Sequence, residues 1–129
     1  MIYLDTSVAL AHLLAEDRHP PAELWDRSLV ASRLVEFELW TRVHARGLGR
    51  THADAARALL GRVAMLEMIP EILFRATAAF PISLRTLDAL HLASLEFLRT
   101  QGQDVSLASY DERMLAAARA LRIDIFELA

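Results

Sequence analysis

Short apolar runs alternate with helical patterns along the whole chain, and this alternation constrains the fold more than any other feature of the sequence. Five runs predict short strands, at 2–4, 29–31, 66–69, 105–108 and 123–126. Strands that are apolar on both faces are typical of a parallel sheet covered by helices on each side. The sequence therefore predicts an α/β fold with a central, mostly parallel sheet of four to five strands covered by helices.

Helical patterns fill the segments between these strands. Apolar spacing and end signals predict helices at 8–15, 21–28, 34–46, 51–66, 71–80, 86–100 and 111–121. Ser7 precedes the first of them as a predicted N-cap. Because no repeat, low-complexity tract or linker divides the sequence, residues 1–129 are expected to form a single domain, and their number falls in the usual range of roughly 100 to 150 residues.

Composition narrows the classes of function. The net charge is −3, which is not the basic signature typical of nucleic-acid-binding proteins. All 14 basic residues are arginine, so mechanisms that need a lysine are excluded and phosphate contacts would fall to guanidinium groups. Cysteine is absent, which excludes disulfides and thiolate metal sites. No signal peptide and no run of roughly 18 apolar residues is present, so we expect a cytoplasmic protein with no membrane partner.

Several acidic residues lie next to apolar strands and helices, where burial of a carboxylate costs free energy. Asp5 ends the first predicted strand, and Asp111 follows the fourth by a few residues. The carboxyl ends of parallel strands meet at one edge of a sheet, where ligands bind. Asp88 lies near the start of a helix that is apolar nearly all round, so its carboxylate has little contact with water. For Asp88 and Asp111 a second interpretation stays open, namely an acid that faces the helix dipole in the first turn.

Glu36 and Glu38 both follow the second predicted strand. On a helix they point about 200° apart, so at most one of them faces a given site, and the spacing does not decide which. Three or four acids that converge on one edge repel one another unless a divalent cation is present. Oxygen ligands without cysteine favour Mg²⁺ or Mn²⁺ over Zn²⁺, and such ions are suited to phosphoryl chemistry.

Other enzymes with an acid after a strand need residues that the chain lacks. A phosphatase of the haloacid dehalogenase type requires an aspartate at the position of Ser7, and a phosphoacceptor receiver domain relies on a lysine. A phosphate-binding P-loop is absent, since no Gly-x-x-x-x-Gly-Lys occurs. The sequence therefore argues against nucleotide-cofactor enzymes, haloacid-dehalogenase-type phosphatases and receiver domains.

Four short motifs together resemble the PIN domains, and more narrowly the VapC-type toxin ribonucleases of type II toxin–antitoxin pairs. The motifs are Asp5-Thr6-Ser7, Glu38-Leu39, Leu87-Asp88-Ala89-Leu90-His91-Leu92-Ala93 and Ser109-Tyr110-Asp111. The resemblance implies a PIN-like three-layer sandwich over residues 1–129. It implies an Mg²⁺- or Mn²⁺-dependent endoribonuclease that hydrolyses RNA phosphodiesters with a metal-activated water. It also implies a cognate antitoxin, an RNA substrate and a homodimer.

The same resemblance assigns roles to individual residues. The catalytic, metal-binding acids would be Asp5, Glu38, Asp88 and Asp111. This assignment selects Glu38 over Glu36. Supporting roles fall to Thr6, Ser109 and Arg85; the two hydroxyls would orient a carboxylate or a water, and Arg85 would either hold a phosphate or be a surface arginine.

Three residues leave the functional prediction open in part. Arg113 stands where many relatives have a further acid or amide, which weakens the case for a fully occupied second metal site. His91 is either a proton shuttle or a structural residue, and Arg42 either contacts RNA or pairs with Glu38 one turn away. The alternative function is a catalytically weak PIN-like module that binds RNA or regulates a partner.

Overall fold

The computed structural model describes residues 1–128, so that Ala129, the last residue of the predicted domain, lies outside the described residues. Strands and helices alternate along the chain. In order they are β1 (Ile2–Leu4), α1 (Thr6–Leu13), a 3-10 helix (Ala22–Asp26), β2 (Leu29–Ser32), α2 (Leu34–Ala45), α3 (Gly49–Gly61), β3 (Val63–Leu66), α4 (Pro70–Ala76), α5 (Thr86–Thr100), β4 (Ser106–Ala108), α6 (Glu112–Ala120) and β5 (Asp124–Ile125). No helix within residues 1–128 is long and apolar enough to cross a membrane.

The five strands form one sheet in the order β3-β2-β1-β4-β5, and every neighbouring pair is parallel. The prediction of a central parallel sheet is therefore confirmed. The chain builds outward from β1 to β3 and then returns to the other side of β1, where β4 pairs with it. In open α/β sheets a ligand crevice forms at such a reversal, outside the carboxyl ends of the strands. The carboxyl ends of β1 and β4 are thus the expected position of a site.

The side chains of β1 divide the core into two halves, because successive residues of a strand face opposite sides of the sheet. Ile2 and Leu4 pack in a cluster with residues of α1, α2 and α3. Tyr3 packs on the other side with residues of α5 and α6. All three side chains are buried. The helices thus cover both faces of the sheet, and the predicted three-layer arrangement is confirmed.

The third strand lies three residues earlier than its predicted position of 66–69. Its residues Val63–Leu66 pair with Leu29–Ser32 of β2, and Pro70 begins α4 as its first residue. The helix predicted at 51–66 accordingly ends at Gly61. The prediction is wrong because residues 63–69 are apolar except for Glu67, so the local pattern does not select the four residues that pair with β2.

Candidate active site

A cleft of about 760 Å³ opens at the carboxyl ends of β1 and β4. Four separate elements each contribute one predicted acid to its lining: Asp5 at the end of β1, Glu38 on α2, Asp88 on α5 and Asp111 at the start of α6. Thr6 lines the cleft as well. The structure therefore brings all four predicted acids to one place, although they lie as far apart in sequence as residues 5 and 111.

Asp5 joins the two central loops of the site. Its backbone is extended, its amide donates a hydrogen bond to the Ala108 carbonyl at 3.0 Å, and its side chain is buried. The Oδ2 atom of Asp5 accepts hydrogen bonds from Ser7 Oγ at 2.6 Å and Ser109 Oγ at 2.7 Å. Ser109 Oγ in turn accepts the amide of Asp111 at 2.9 Å. The Ser109 hydroxyl thus links the segment after β4 to the carboxylate that follows β1.

Ser7 has a different role from the one predicted for it. Helix α1 begins at Thr6, so Ser7 lies within the first turn, and Asp5 occupies the N-cap position without a side-chain capping bond. Besides donating to Asp5, the hydroxyl of Ser7 accepts the amide of Tyr110 at 3.0 Å. The N-cap prediction is wrong because a serine beside a buried carboxylate satisfies that carboxylate instead of the helix end. Its position two residues after Asp5 was the available signal.

One oxygen of Glu38 has two hydrogen-bond partners. Thr6 Oγ1 donates to Glu38 Oε1 at 3.0 Å, and His91 Nε2 lies 2.5 Å from the same atom. Glu36, two residues earlier on α2, instead forms an ion pair with Arg33 at 3.0 Å and does not line the cleft. Of the two glutamates, Glu38 is therefore the one at the cleft, as the family motif implied.

Asp111 both caps a helix and lines the cleft. Its Oδ1 atom accepts the amides of Arg113 at 2.9 Å and Met114 at 3.2 Å, which makes it the N-cap of α6. The predicted alternative, an acid at a helix start, is therefore observed. It is compatible with a role at the site, because Oδ2 receives no hydrogen bond from residues 1–128 and the residue lines the cleft.

Asp88 is the least compensated of the four predicted acids. It is partly buried near the start of α5, and no side chain or amide among residues 1–128 donates a hydrogen bond to its carboxylate. Burial raises the pKa of Asp88, and the negative charges of Asp111 and Asp5 raise it further. The direction of this shift is the one expected of like charges gathered in a site of restricted hydration.

The electrostatics of His91 follow from the same cluster. Burial lowers its pKa, but the hydrogen bond and charge of Glu38, with the charges of Asp5 and Asp88, outweigh that effect. The pKa of His91 is therefore raised overall. The sequence did not separate a structural role from a proton-transfer role for this residue, and its direct contact with Glu38 had no signal in the local pattern.

The carboxylates share one arrangement that bears on metal binding. In Asp5, Glu38 and Asp111, protein donors hold one oxygen, while the other accepts no hydrogen bond from the described part of the chain. Such oxygens are the ligands that Mg²⁺ and Mn²⁺ prefer. As they stand, no three acidic or histidine side chains within residues 1–128 are arranged to hold a metal ion. The residues fit a divalent ion by the chemistry of their oxygens.

Two arginines line the cleft, and the predicted third does not. Arg18 and Arg42 are part of the lining. Within the described residues Arg42 forms no ion pair with Glu38, so that one of its two predicted roles is not observed. Arg85 is exposed beside the start of α5 and does not line the cleft. Its phosphate contact stays a prediction.

Comparison with solved structures agrees with the fold. A toxin–antitoxin complex from Klebsiella pneumoniae contains a chain that matches with a TM-score of 0.67 at 17% identity, covering 90% of this chain and 91% of that one. VapC20 of Mycobacterium tuberculosis, described as a Sarcin-Ricin loop cleaving toxin, matches with a TM-score of 0.62 at 22% identity, over 91% of this chain and 95% of that one. At these identities the likeness establishes a shared fold.

Comparison of sequences establishes the family. The model of the PIN domain matches residues 2–120. Ribonuclease VapC46 of Mycobacterium tuberculosis is 34% identical over 127 residues, which cover 93% of this chain and 92% of the relative. Ribonuclease VapC35 of the same species is 30% identical over 131 residues, covering 97% and 95%. The chain therefore belongs to the PIN-domain family and is of VapC type, which confirms the resemblance seen in its motifs.

Proposed function

We propose that the chain is the endoribonuclease toxin of a type II toxin–antitoxin pair, and that it hydrolyses RNA phosphodiesters at the four-acid cleft with Mg²⁺ or Mn²⁺. One observation carries the proposal: carboxylates from four separate elements line a single cleft at the carboxyl ends of β1 and β4. The relatives named Ribonuclease VapC support it. Residues 1–129 would form one PIN domain that acts in the cytoplasm.

The acids have different tasks in this proposal. Asp5, Glu38 and Asp88 would hold the principal ion, and Asp111 would position the attacking water or a second ion. A divalent ion, when bound, would polarise the phosphate and lower the pKa of water. Thr6 and Ser109 would keep two of the carboxylates in orientation, since their hydroxyls donate to Glu38 and Asp5 respectively.

Arginines would bring the RNA to a cleft that is otherwise acidic. Arg18 and Arg42 line it, and guanidinium groups match phosphate geometry with paired donors. Arg18 is held at the rim, because its Nη1 donates to the Tyr110 carbonyl at 2.9 Å. Both residues are thus suited to contact the RNA backbone.

Partner proteins would cover apolar side chains that are exposed in the described chain. Large exposed hydrophobic residues include Phe37, Leu73, Phe74 and Leu87. Phe74 is 80% exposed, and a partner that covers its ring would remove a large apolar surface from water. We expect a homodimer and a cognate antitoxin to provide the cover. The mass in solution, measured by light scattering, distinguishes a dimer of the purified chain from a monomer.

Growth arrest tests the toxin role. Expression of the chain alone is expected to arrest bacterial growth, and co-expression of the product of the neighbouring gene should relieve the arrest. Two variants on the same helix link arrest to the cleft: Glu38→Gln should abolish it, whereas Glu36→Gln should retain it, because Glu36 pairs with Arg33 outside the cleft. Immunoblotting of the soluble fraction controls for expression. Normal growth despite soluble wild-type protein would contradict the toxin role, and equal behaviour of the two variants would contradict the role of Glu38.

A further inference from the structure

His91 connects two polar groups in the interior of the protein. It lies on α5, and only 1% of its surface is exposed. Its Nδ1 atom is 2.8 Å from Tyr3 Oη and its Nε2 atom is 2.5 Å from Glu38 Oε1. Tyr3 is itself fully buried, and its oxygen accepts the amide of Ser32 at 3.0 Å. A chain of hydrogen bonds therefore runs from β2 through β1 and α5 to the carboxylate on α2.

The donors of this chain have a defined direction. A tyrosine phenol keeps its proton at neutral pH, and Tyr3 is fully buried. Because Tyr3 Oη accepts the Ser32 amide, its own proton is available to His91 Nδ1. A neutral imidazole then carries its single proton on Nε2, which faces Glu38. A protonated ring carries a proton there as well, so the donor to Glu38 is present in either charge state of His91.

These hydrogen bonds restrict the rotation of the Glu38 carboxylate. Its Oε1 atom receives both His91 Nε2–H and the Thr6 hydroxyl, which come from different helices. With Oε1 held by two donors, the carboxylate cannot rotate without losing both bonds. Its Oε2 atom accepts no hydrogen bond from residues 1–128 and is left available. Replacing a group that fixes a ligand's orientation in this way typically lowers metal affinity or activity by roughly 10- to 100-fold.

We propose that His91 is a positioning residue that, together with Thr6, fixes Glu38 so that one carboxylate oxygen stays available to a divalent cation in the cleft. The proposal rests on the proposed function and extends it to a residue whose role the sequence left open. The competing role is packing alone, since the ring of His91 also meets the Tyr3 ring edge to face at 5.9 Å. The two roles differ in what happens when the volume is kept and the donor is removed.

Matched substitutions at position 91 separate the donor from the volume. His91→Leu fills the space without a donor, whereas His91→Gln keeps an N–H near the position of Nε2. His91→Leu is expected to weaken Mn²⁺ binding, measured by isothermal titration calorimetry, by roughly 10- to 100-fold, and to lower kcat for RNA cleavage in parallel. His91→Gln should retain most of the Mn²⁺ affinity. His52→Gln on α3, which does not line the cleft, should bind Mn²⁺ like the wild type.

Several results would overturn the role of His91. If His91→Leu binds Mn²⁺ like the wild type, His91 acts through packing only. The same conclusion follows if the affinities of the two variants simply follow their melting temperatures. If His91→Leu does not fold, long-range ¹H–¹⁵N correlation spectra of the metal-free wild type decide instead: a protonated Nε2 is expected, and an unprotonated Nε2 contradicts the proposal. Glu38→Gln distinguishes a failure of the role of His91 from a failure of the proposed function. If it loses Mn²⁺ affinity and cleavage while His91→Leu loses neither, only the role of His91 fails; if it loses neither, the proposed function fails.

Discussion

Asp5→Asn is expected to lower the rate of RNA cleavage by about 100-fold or more while leaving the fold intact, since loss of even an indirect partner of a metal ligand costs roughly 10- to 100-fold. The asparagine keeps one oxygen, which can accept from both Ser7 and Ser109 as Oδ2 of Asp5 does, so the structural cost is small, about 1 kcal/mol. Initial rates of cleavage with Mg²⁺ measure the effect, and circular dichroism checks the fold.

The matched control for Asp5→Asn is Asp54→Asn. Asp54 lies on α3, where it forms an exposed pair with Arg57 at 3.4 Å and does not line the cleft. The Asp54→Asn substitution removes the same charge from the protein without changing the site, so the cleavage rate of this variant should equal that of the wild type. A rate in Asp5→Asn equal to that of Asp54→Asn would mean that the acid after β1 has no part in the reaction.

Asp88→Asn is expected to abolish cleavage and, at the same time, to stabilise the metal-free protein. The carboxylate of Asp88 is partly buried, faces the charges of Asp111 and Asp5, and accepts no hydrogen bond from residues 1–128. An amide removes the repulsion at nearly constant volume. We expect the melting temperature in EDTA at neutral pH to rise by roughly 2 °C or more, with solvent screening keeping the gain small.

The pH dependence of this effect has a definite sign. Because the pKa of Asp88 is raised by folding, the unfolded chain loses this proton at a lower pH than the folded chain does. Stability therefore falls as the pH rises from the ordinary pKa of an aspartate to the raised pKa, and the loss persists above it. The melting curves of the wild type and Asp88→Asn should converge at the acid end of this interval and separate above it. A melting temperature of Asp88→Asn below that of the wild type at neutral pH would contradict the account.

The sequence located strands and helices well where a segment ends at a clear signal. Both β1 and α5 were located this way, because Asp5 ends the apolar run 2–4 and Gly102 follows the helix Thr86–Thr100. It failed at β3. There the run 63–69 exceeds the length of the strand, and the choice of residues depends on the ladder with β2, which lies more than 30 positions away. Pairing between distant segments is a tertiary effect that local periodicity does not contain.

The candidate site was also predicted only in part. The four acids were predicted because each belongs to a short motif, and the structure brings all four to one cleft. Of the groups that orient them, Thr6 and Ser109 were predicted from the family motif, whereas the contacts of Tyr3 and His91 were not. Tyr3 and His91 form a hydrogen bond across 88 positions. Such contacts follow from the sheet order β2-β1-β4 and from the face on which each strand residue lies, which become visible only in the folded chain.

The most direct test of the four-acid cleft is cleavage of RNA by the purified protein with and without divalent ions. The account predicts cleavage with Mg²⁺ or Mn²⁺, none in EDTA, recovery when the ion is added back, and none in Asp88→Asn under any of these conditions. Folded wild-type protein that shifts RNA in a gel with Mg²⁺ but does not cut it would favour the RNA-binding module instead. Cleavage that proceeds equally in Mg²⁺, in EDTA and in Asp88→Asn would contradict the account, because it would come from neither the ion nor the cleft.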